Sequence, residues 1–130
     1  MTNYLTADDI IQIHDLEVRA GGGVRDQSLL EAAVGRPQQS AFGDDAFPTL
    51  ALKAAALFDG IAEYQVFLDG NKRTAVLAVV NFYAINGYTL KVDEVVMYDL
   101  ALDLANKVIE FESLALSFER WAEPIPDPAE

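Results

Sequence analysis

The pattern of this chain predicts an all-α bundle around one central buried helix, preceded by an anion-binding loop. Three observations carry that expectation. Apolar residues recur at helical spacing in six segments, each bounded by a capping or breaking residue. The segment Asn71 to Asn86 is apolar on nearly every side, as a helix at the centre of a domain must be. With 130 residues and a hydrophobic share of 52%, the chain can fill one core without disulfide or metal staples.

The elements follow in order. Thr6 with Asp9 resembles a capping box, with Asp in place of Glu. Ile10, Ile11, His14, Leu16 and Val18 then form a broad apolar face up to Arg19, and Gly21-Gly22-Gly23 ends that helix in a flexible turn. Asp26 is the expected N-cap of a short helix through Val34, stopped by Gly35 and Pro37. Gln38 to Phe47 reads as a loop. Pro48 suits the first turn of the next helix, where a missing N–H costs nothing. Leu50, Ala54, Leu57, Phe58 and Ile61 continue it, with fraying near Tyr64.

Gln65 to Gly70 is a loop, and Asn71 to Asn86 the long helix, closed by Gly87. Its valines could argue for a strand, but sixteen residues with a glycine stop favour a helix. Tyr88 to Val92 is a short extended piece. Asp93 caps a helix to about Val108, and Ser113 begins a last one to Trp121. Residues 1–121 form a single domain, and 122–130, with three prolines and three acidic residues, a mobile tail.

Composition narrows the function. The net charge of -12 repels a polyanion, so neither nucleic acid nor an anionic membrane surface is expected as a partner. A basic partner protein suits it better. The chain has no cysteine, which excludes thiolate metal sites and cysteine nucleophiles and fits a reducing compartment. The N-terminus has no signal-peptide pattern, and the longest apolar run, Ala75 to Val80, is far too short to span a bilayer. A soluble, cytoplasmic protein is expected.

The chemistry concentrates in Val66-Phe67-Leu68-Asp69-Gly70-Asn71-Lys72-Arg73-Thr74-Ala75. The first N–H groups of the helix that starts here have no intrahelical partner and lie at the positive end of its dipole. Gly70 lets the backbone approach a bulky anion. Lys72 and Arg73 are the only adjacent basic pair among the nine basic residues. They add full charge, Arg73 as a fork suited to phosphate oxygens. Asp69 at the edge could hold a divalent cation bridging phosphates. Asn71 can bond a phosphate or hold the turn closed, and Thr74 can contact phosphate or bond back to its own helix. The order is not that of a Walker loop, because no Lys is followed directly by Ser or Thr.

On these residues the chain resembles the Fic/Doc family, whose signature is His-x-Phe-x-Asp/Glu-Gly-Asn, then Gly or Lys, then Arg. Phe67, Asp69, Gly70, Asn71 and Arg73 match it, and Lys72 matches the form typical of the death-on-curing (Doc) toxins. Leu5 to Asp15, Gly22 to Pro37 and the stop Asn86-Gly87-Tyr88 are similar too, so the resemblance covers most of the chain. It implies a Fic-like helical bundle and a toxin of a bacterial toxin–antitoxin system. The implied reaction moves the γ-phosphate of ATP, with Mg²⁺, to a hydroxyl of elongation factor Tu and blocks translation. The implied partner is an antitoxin that lays a helix into a groove on the toxin. The self-inhibitory pattern of other Fic classes, Ser/Thr-x-x-x-Glu-Gly/Asn, does not occur in this chain.

By the same resemblance Asp69 holds the metal, and Gly70, Asn71, Lys72, Arg73 and Thr74 bind the nucleotide. Gln65, Asp69, Lys72 and Arg73 form the catalytic set. Gln65 is the departure, because it stands where the family has its proton-accepting histidine. A glutamine amide does not titrate near neutrality and cannot act as a general base. Three origins fit it: an inactivating change, a divergence to a nucleotide-binding pseudoenzyme, or proton transfer to another group such as Asp69. The only other candidate base by type, His14, lies far upstream.

Other residues have plainer readings. Phe67 is a core anchor for the loop, His14 a satisfied structural histidine, and Asp15 and Glu17 a solvated face. Arg36 is a surface ion-pair partner. Two alternatives to the phosphotransferase remain open on sequence: AMP transfer, as in the Fic branch, and a non-catalytic module that binds nucleotide or antitoxin. A nuclease fits poorly with the acidic charge.

Overall fold

The computed structural model of the chain describes residues 1–18 and 23–126. Most of the Gly21-Gly22-Gly23 turn and the end of the tail therefore lie outside the described residues. Six helices carry the fold: α1 (Ala7–Glu17), α2 (Gln27–Gly35), α3 (Leu50–Tyr64), α4 (Asn71–Ile85), α5 (Glu94–Ala105) and α6 (Phe111–Trp121). Two small antiparallel pairs accompany them. β1 (Ser40–Ala41) pairs with β2 (Asp44–Asp45), and β3 (Tyr88–Leu90) with β4 (Ala122–Pro124). The helical expectation is borne out.

Local chemistry sets most boundaries. At α1 the Thr6 hydroxyl accepts from the Asp9 N–H at 3.1 Å, and the Asp9 carboxylate accepts from the Thr6 N–H at 2.8 Å. Asp26 caps α2 by accepting from the Leu29 N–H, and Asp93 caps α5 by accepting from Val95. α3 departs from expectation. Its cap is Thr49, whose hydroxyl accepts from Leu52, so Pro48 precedes the helix instead of opening it. α4 ends at Ile85 with Asn86 as the cap and Gly87 at φ 89°, the left-handed stop expected of that glycine.

α5 stops three residues before Val108. The Lys107 N–H bonds the Leu104 carbonyl at 3.1 Å and the Val108 N–H bonds Asp103 at 2.8 Å. With Lys107 at φ 60°, this is a Schellman closure made without glycine, which sequence rules do not flag. α6 opens at Phe111, two residues before Ser113, after Glu110, whose side chain makes no capping bond.

The stretch read as a loop after Gln38 contains the β1–β2 hairpin. It turns on Phe42 and Gly43, both at positive φ. The tail read as mobile from Ala122 begins as β4, in register Tyr88 with Pro124 and Leu90 with Ala122.

The centre of the bundle is shared. α4 buries Thr74, Ala75, Val76, Ala78, Val79, Phe82 and Tyr83 but leaves Asn81 and Ile85 exposed. α3 is the more enclosed helix and packs against α2, α4, α5 and α6. Its small residues allow this: a Cβ on Gly60 would stand 3.2 Å from the Ala33 backbone, which marks a close approach of α2 to α3. A cluster of Phe58, Phe82, Tyr83 and Phe118, mostly edge to face, fills the space between α3, α4 and α6.

Candidate active site

The loop from Gln65 to Gly70 is held from three sides. Asn71 closes it from within: its Oδ1 accepts from the Phe67 N–H and its Nδ2 donates to the Phe67 carbonyl, both at 2.9 Å. Of the two roles open to Asn71, the structure shows the one that holds the turn. The Gly23–Asp26 segment runs antiparallel alongside, with Val24 opposite Phe67 and the Leu68 N–H donating to the Gly23 carbonyl at 3.3 Å. From below, the buried His14 ring stacks on Phe67, 3.9 Å between centroids. Its Nε2–H donates to the Asp69 carbonyl at 2.8 Å. Phe67 is the buried anchor expected, and His14 the satisfied structural histidine.

Gly70 follows at φ 79° and provides no side-chain cap for α4. The first backbone donors of α4 therefore face outward at the positive end of the helix. Lys72 and Arg73 stand in that first turn, and neither is within ion-pair distance of a carboxylate among the described residues. Asp69 is exposed, and its Oδ1 accepts from the Gly70 N–H at 2.8 Å.

These groups share one cleft of about 580 Å³. Gln65, Asp69, Gly70, Asn71, Lys72 and Arg73 line it, together with Glu17, Val18, Ala62, Leu68 and Tyr98. Its size suits a nucleotide-sized ligand. Every sequence-predicted site residue reaches this cleft except Thr74. That side chain is fully buried, shares the inward face of α4 with Ala78, and has no hydrogen-bond partner for its hydroxyl among the described residues. Thr74 thus makes neither the phosphate contact nor the bond back to its helix that its sequence position suggested.

The donor set fits one kind of metal. Among the described residues no group of three or more carboxylates and histidines is gathered to hold an ion. Magnesium needs no such cage, because it keeps several waters and shares one carboxylate with substrate phosphates. Asp69 is the carboxylate that could hold such an ion, beside two cations that have no ion-pair partner among the described residues.

Sequence reasoning missed Glu17 and Val18 at the end of α1 and Tyr98 on α5. They come to the cleft only through helix packing, and no local pattern flags them. A second, more apolar hollow of about 330 Å³ adjoins the cleft through Glu17, Arg73 and Tyr98, with Val76, Leu77, Glu94 and Val95. Arg36 is read as a surface partner, yet it is half-buried. It bonds Asp59 and the Ala56 carbonyl and lies over the rings of Phe47 and Phe111, which also contact each other.

The family model described as "Fic/DOC family" matches residues 4–83, from just before α1 nearly to the end of α4. The chain belongs to the Fic/Doc family. It is 44% identical over 108 residues to "Toxin Doc" of Mycolicibacterium smegmatis (strain ATCC 700084 / mc(2)155), covering 83% of this chain and 82% of that protein. The matched region contains every cleft residue except Tyr98. In this Fic/Doc chain Gln65 is the left-handed residue that ends α3, at φ 53° and ψ 53°. No helix among the described residues is long and apolar enough to cross a membrane.

Proposed function

We propose that this chain is the toxin of a toxin–antitoxin pair, acting in the cytoplasm on the scaffold of an ATP-dependent protein-hydroxyl phosphotransferase. The observation that carries the reading is the pairing of two free cations with the uncapped start of α4 in one cleft with Asp69 and Gln65. Phosphoryl transfer is catalysed mainly by positioning and by charge stabilisation, and this cleft offers both.

In the reaction proposed, an oxygen of the target hydroxyl bonds to the γ-phosphorus of ATP, and the bond from that phosphorus to the bridging oxygen breaks. ADP leaves, and the hydroxyl proton passes to a base. Lys72, Arg73 and the α4 amides hold the phosphate oxygens, and the Asn71 clamp keeps those amides aimed at them. Asp69 would hold the magnesium ion, which when bound offsets phosphate charge. Residue 65 stands where the proton is to be received. Gln65 cannot receive it, so loss of the positioned base lowers turnover by roughly 10²- to 10⁴-fold. The target by resemblance is elongation factor Tu, and the partner an antitoxin helix.

Gln65 also favours a second reading, a pseudoenzyme that retains nucleotide and antitoxin binding without transfer. One experiment separates them. Purified elongation factor Tu is incubated with γ-labelled ATP and either the chain as it stands or its Gln65→His form. Labelling by the His form alone supports the phosphotransferase reading. Labelling by neither, with ATP still bound, supports the pseudoenzyme. Label that transfers only from α-labelled ATP supports AMP transfer.

A further inference from the structure

Gln65 adopts a left-handed backbone, a conformation that a residue with a Cβ keeps only when its surroundings hold it. The group that holds it is Arg25. Its Nε–H donates to the Gln65 carbonyl at 2.6 Å, and its Nη2 to the Tyr64 carbonyl at 3.2 Å. The backbone of the same segment extends the grip: the N–H groups of Arg25 and Asp26 both donate to the Val66 carbonyl, at 2.8 and 3.3 Å. Three consecutive carbonyls at the end of α3 thus point at one short segment. A helix leaves its last carbonyls unmatched, and its dipole is negative there, so a guanidinium suits the place in charge and in shape.

Arg25 is not among the residues lining the cleft, whereas Gln65 is. Its Nε and Nη2 donors go to main-chain oxygens. We infer that Arg25 is a positioning residue, which fixes the backbone of residue 65 so that its side chain projects into the cleft at the place of proton transfer. The rest of the loop has contacts of its own: His14 holds the Asp69 carbonyl, and Asn71, the first residue of α4, clamps Phe67. Arg25 therefore governs the proton-accepting position without governing nucleotide affinity. This role rests on the phosphotransferase reading above.

Two measurements test it. In the chain as it stands, the three-bond H–N–Hα coupling and the Cα shift of residue 65 report its left-handed backbone by NMR. Arg25→Ala is expected to abolish that signature while leaving the resonances of Asp69 to Arg73 in place and the ATP dissociation constant within about twofold. In the Gln65→His form, Arg25→Ala is expected to lower kcat for phosphoryl transfer roughly 10²-fold, as misplacement of a reacting group does. KM for ATP should stay within about twofold. Arg25→Lys, with a single donor nitrogen and the same charge, is expected to recover part of kcat. It also carries the comparison if the alanine form fails to fold.

An unchanged residue-65 signature overturns the inference, as does an unchanged kcat in an active Gln65→His background. An equal disturbance of residue 65 and of Asp69 to Arg73 also overturns it, since Arg25 would then be general scaffolding. If the Gln65→His form transfers no phosphate yet Arg25→Ala still releases residue 65, the positioning role stands and the phosphotransferase reading falls.

Discussion

His14 lies flat against Phe67, with ring centroids 3.9 Å apart and planes 5° from parallel. The same imidazole donates from Nε2 to the Asp69 carbonyl at 2.8 Å, while Nδ1 faces the Asp15 carboxylate at 3.1 Å. One buried side chain of α1 therefore sets both the floor of the loop and the place of the residue expected to hold the metal. Two substitutions separate these duties. His14→Phe keeps the flat ring and loses the hydrogen bond, and is expected to cost about 1–2 kcal/mol in urea denaturation. His14→Ala loses both and is expected to cost about 2–4 kcal/mol. Both are expected to raise the Mg²⁺ concentration needed for half-maximal ATP binding, measured by calorimetry. A Mg²⁺ requirement unchanged in His14→Phe would detach His14 from the site.

Gly70 and Gly87 share a left-handed backbone but differ in surroundings. A Cβ on Gly70 would stand 2.4 Å from Val18 Cγ2, whereas one on Gly87 would meet nothing within 4 Å. Gly87→Ala is expected to cost only backbone strain, about 1–2 kcal/mol. Gly70→Ala adds a clash at the entrance to the anion site, so its cost exceeds that figure and ATP binding falls with it. Thermal melts of both variants, and of Gly70→Ala with Val18→Ala, test this. Partial recovery is expected in the double variant, and its absence would show that the clash is not the cause.

How much of this was legible depended on how local the cause was. Thr6, Asp26, Asp93 and Gly87 act within a few residues of the ends they set, and sequence patterns place them correctly. The Lys107 closure of α5 is local too, but its left-handed residue is not the glycine that such closures favour. The cleft divides in the same way. Asp69 to Arg73 stand in one run and can be read from it. Glu17 and Tyr98 arrive from helices distant in sequence, and Arg25 acts across forty residues on a backbone carbonyl. Thr74 misleads because adjacency to Arg73 on a helix start does not decide which way the side chain turns.

The cations of α4 give a prediction with its own control. Lys72→Ala and Arg73→Ala each remove a charged donor from the cleft and are expected to weaken ATP binding by about 1.5–3 kcal/mol. Part of the loss should be hidden at high ionic strength, where exposed charges are screened. Thr74→Val, on the next residue but facing the core, is expected to leave ATP affinity unchanged and stability equal or slightly higher, since it removes an unpartnered hydroxyl. Calorimetry at two salt concentrations reads all three. A Thr74→Val loss as large as that of Arg73→Ala would move Thr74 back to the phosphates.

Tyr83 predicts behaviour in alkali. Its ring is buried among Phe82, Tyr88 and Phe118, and its hydroxyl has no partner among the described residues. Burial first, and then the negative charge of Glu119, push the phenol well above its usual range. The sign follows from linkage. The folded state keeps the proton that the unfolded chain gives up, so this contribution is whole below the unfolded phenol value of about 10 and drains away as pH rises beyond it. Tyr83→Phe has no proton to lose. It is expected to equal the parent or exceed it by about 1 kcal/mol at neutral pH, and to lose less stability above pH about 10. Urea midpoints followed from neutral to alkaline pH decide it: parallel curves for the two proteins would mean that the buried phenol does not drive the alkaline loss.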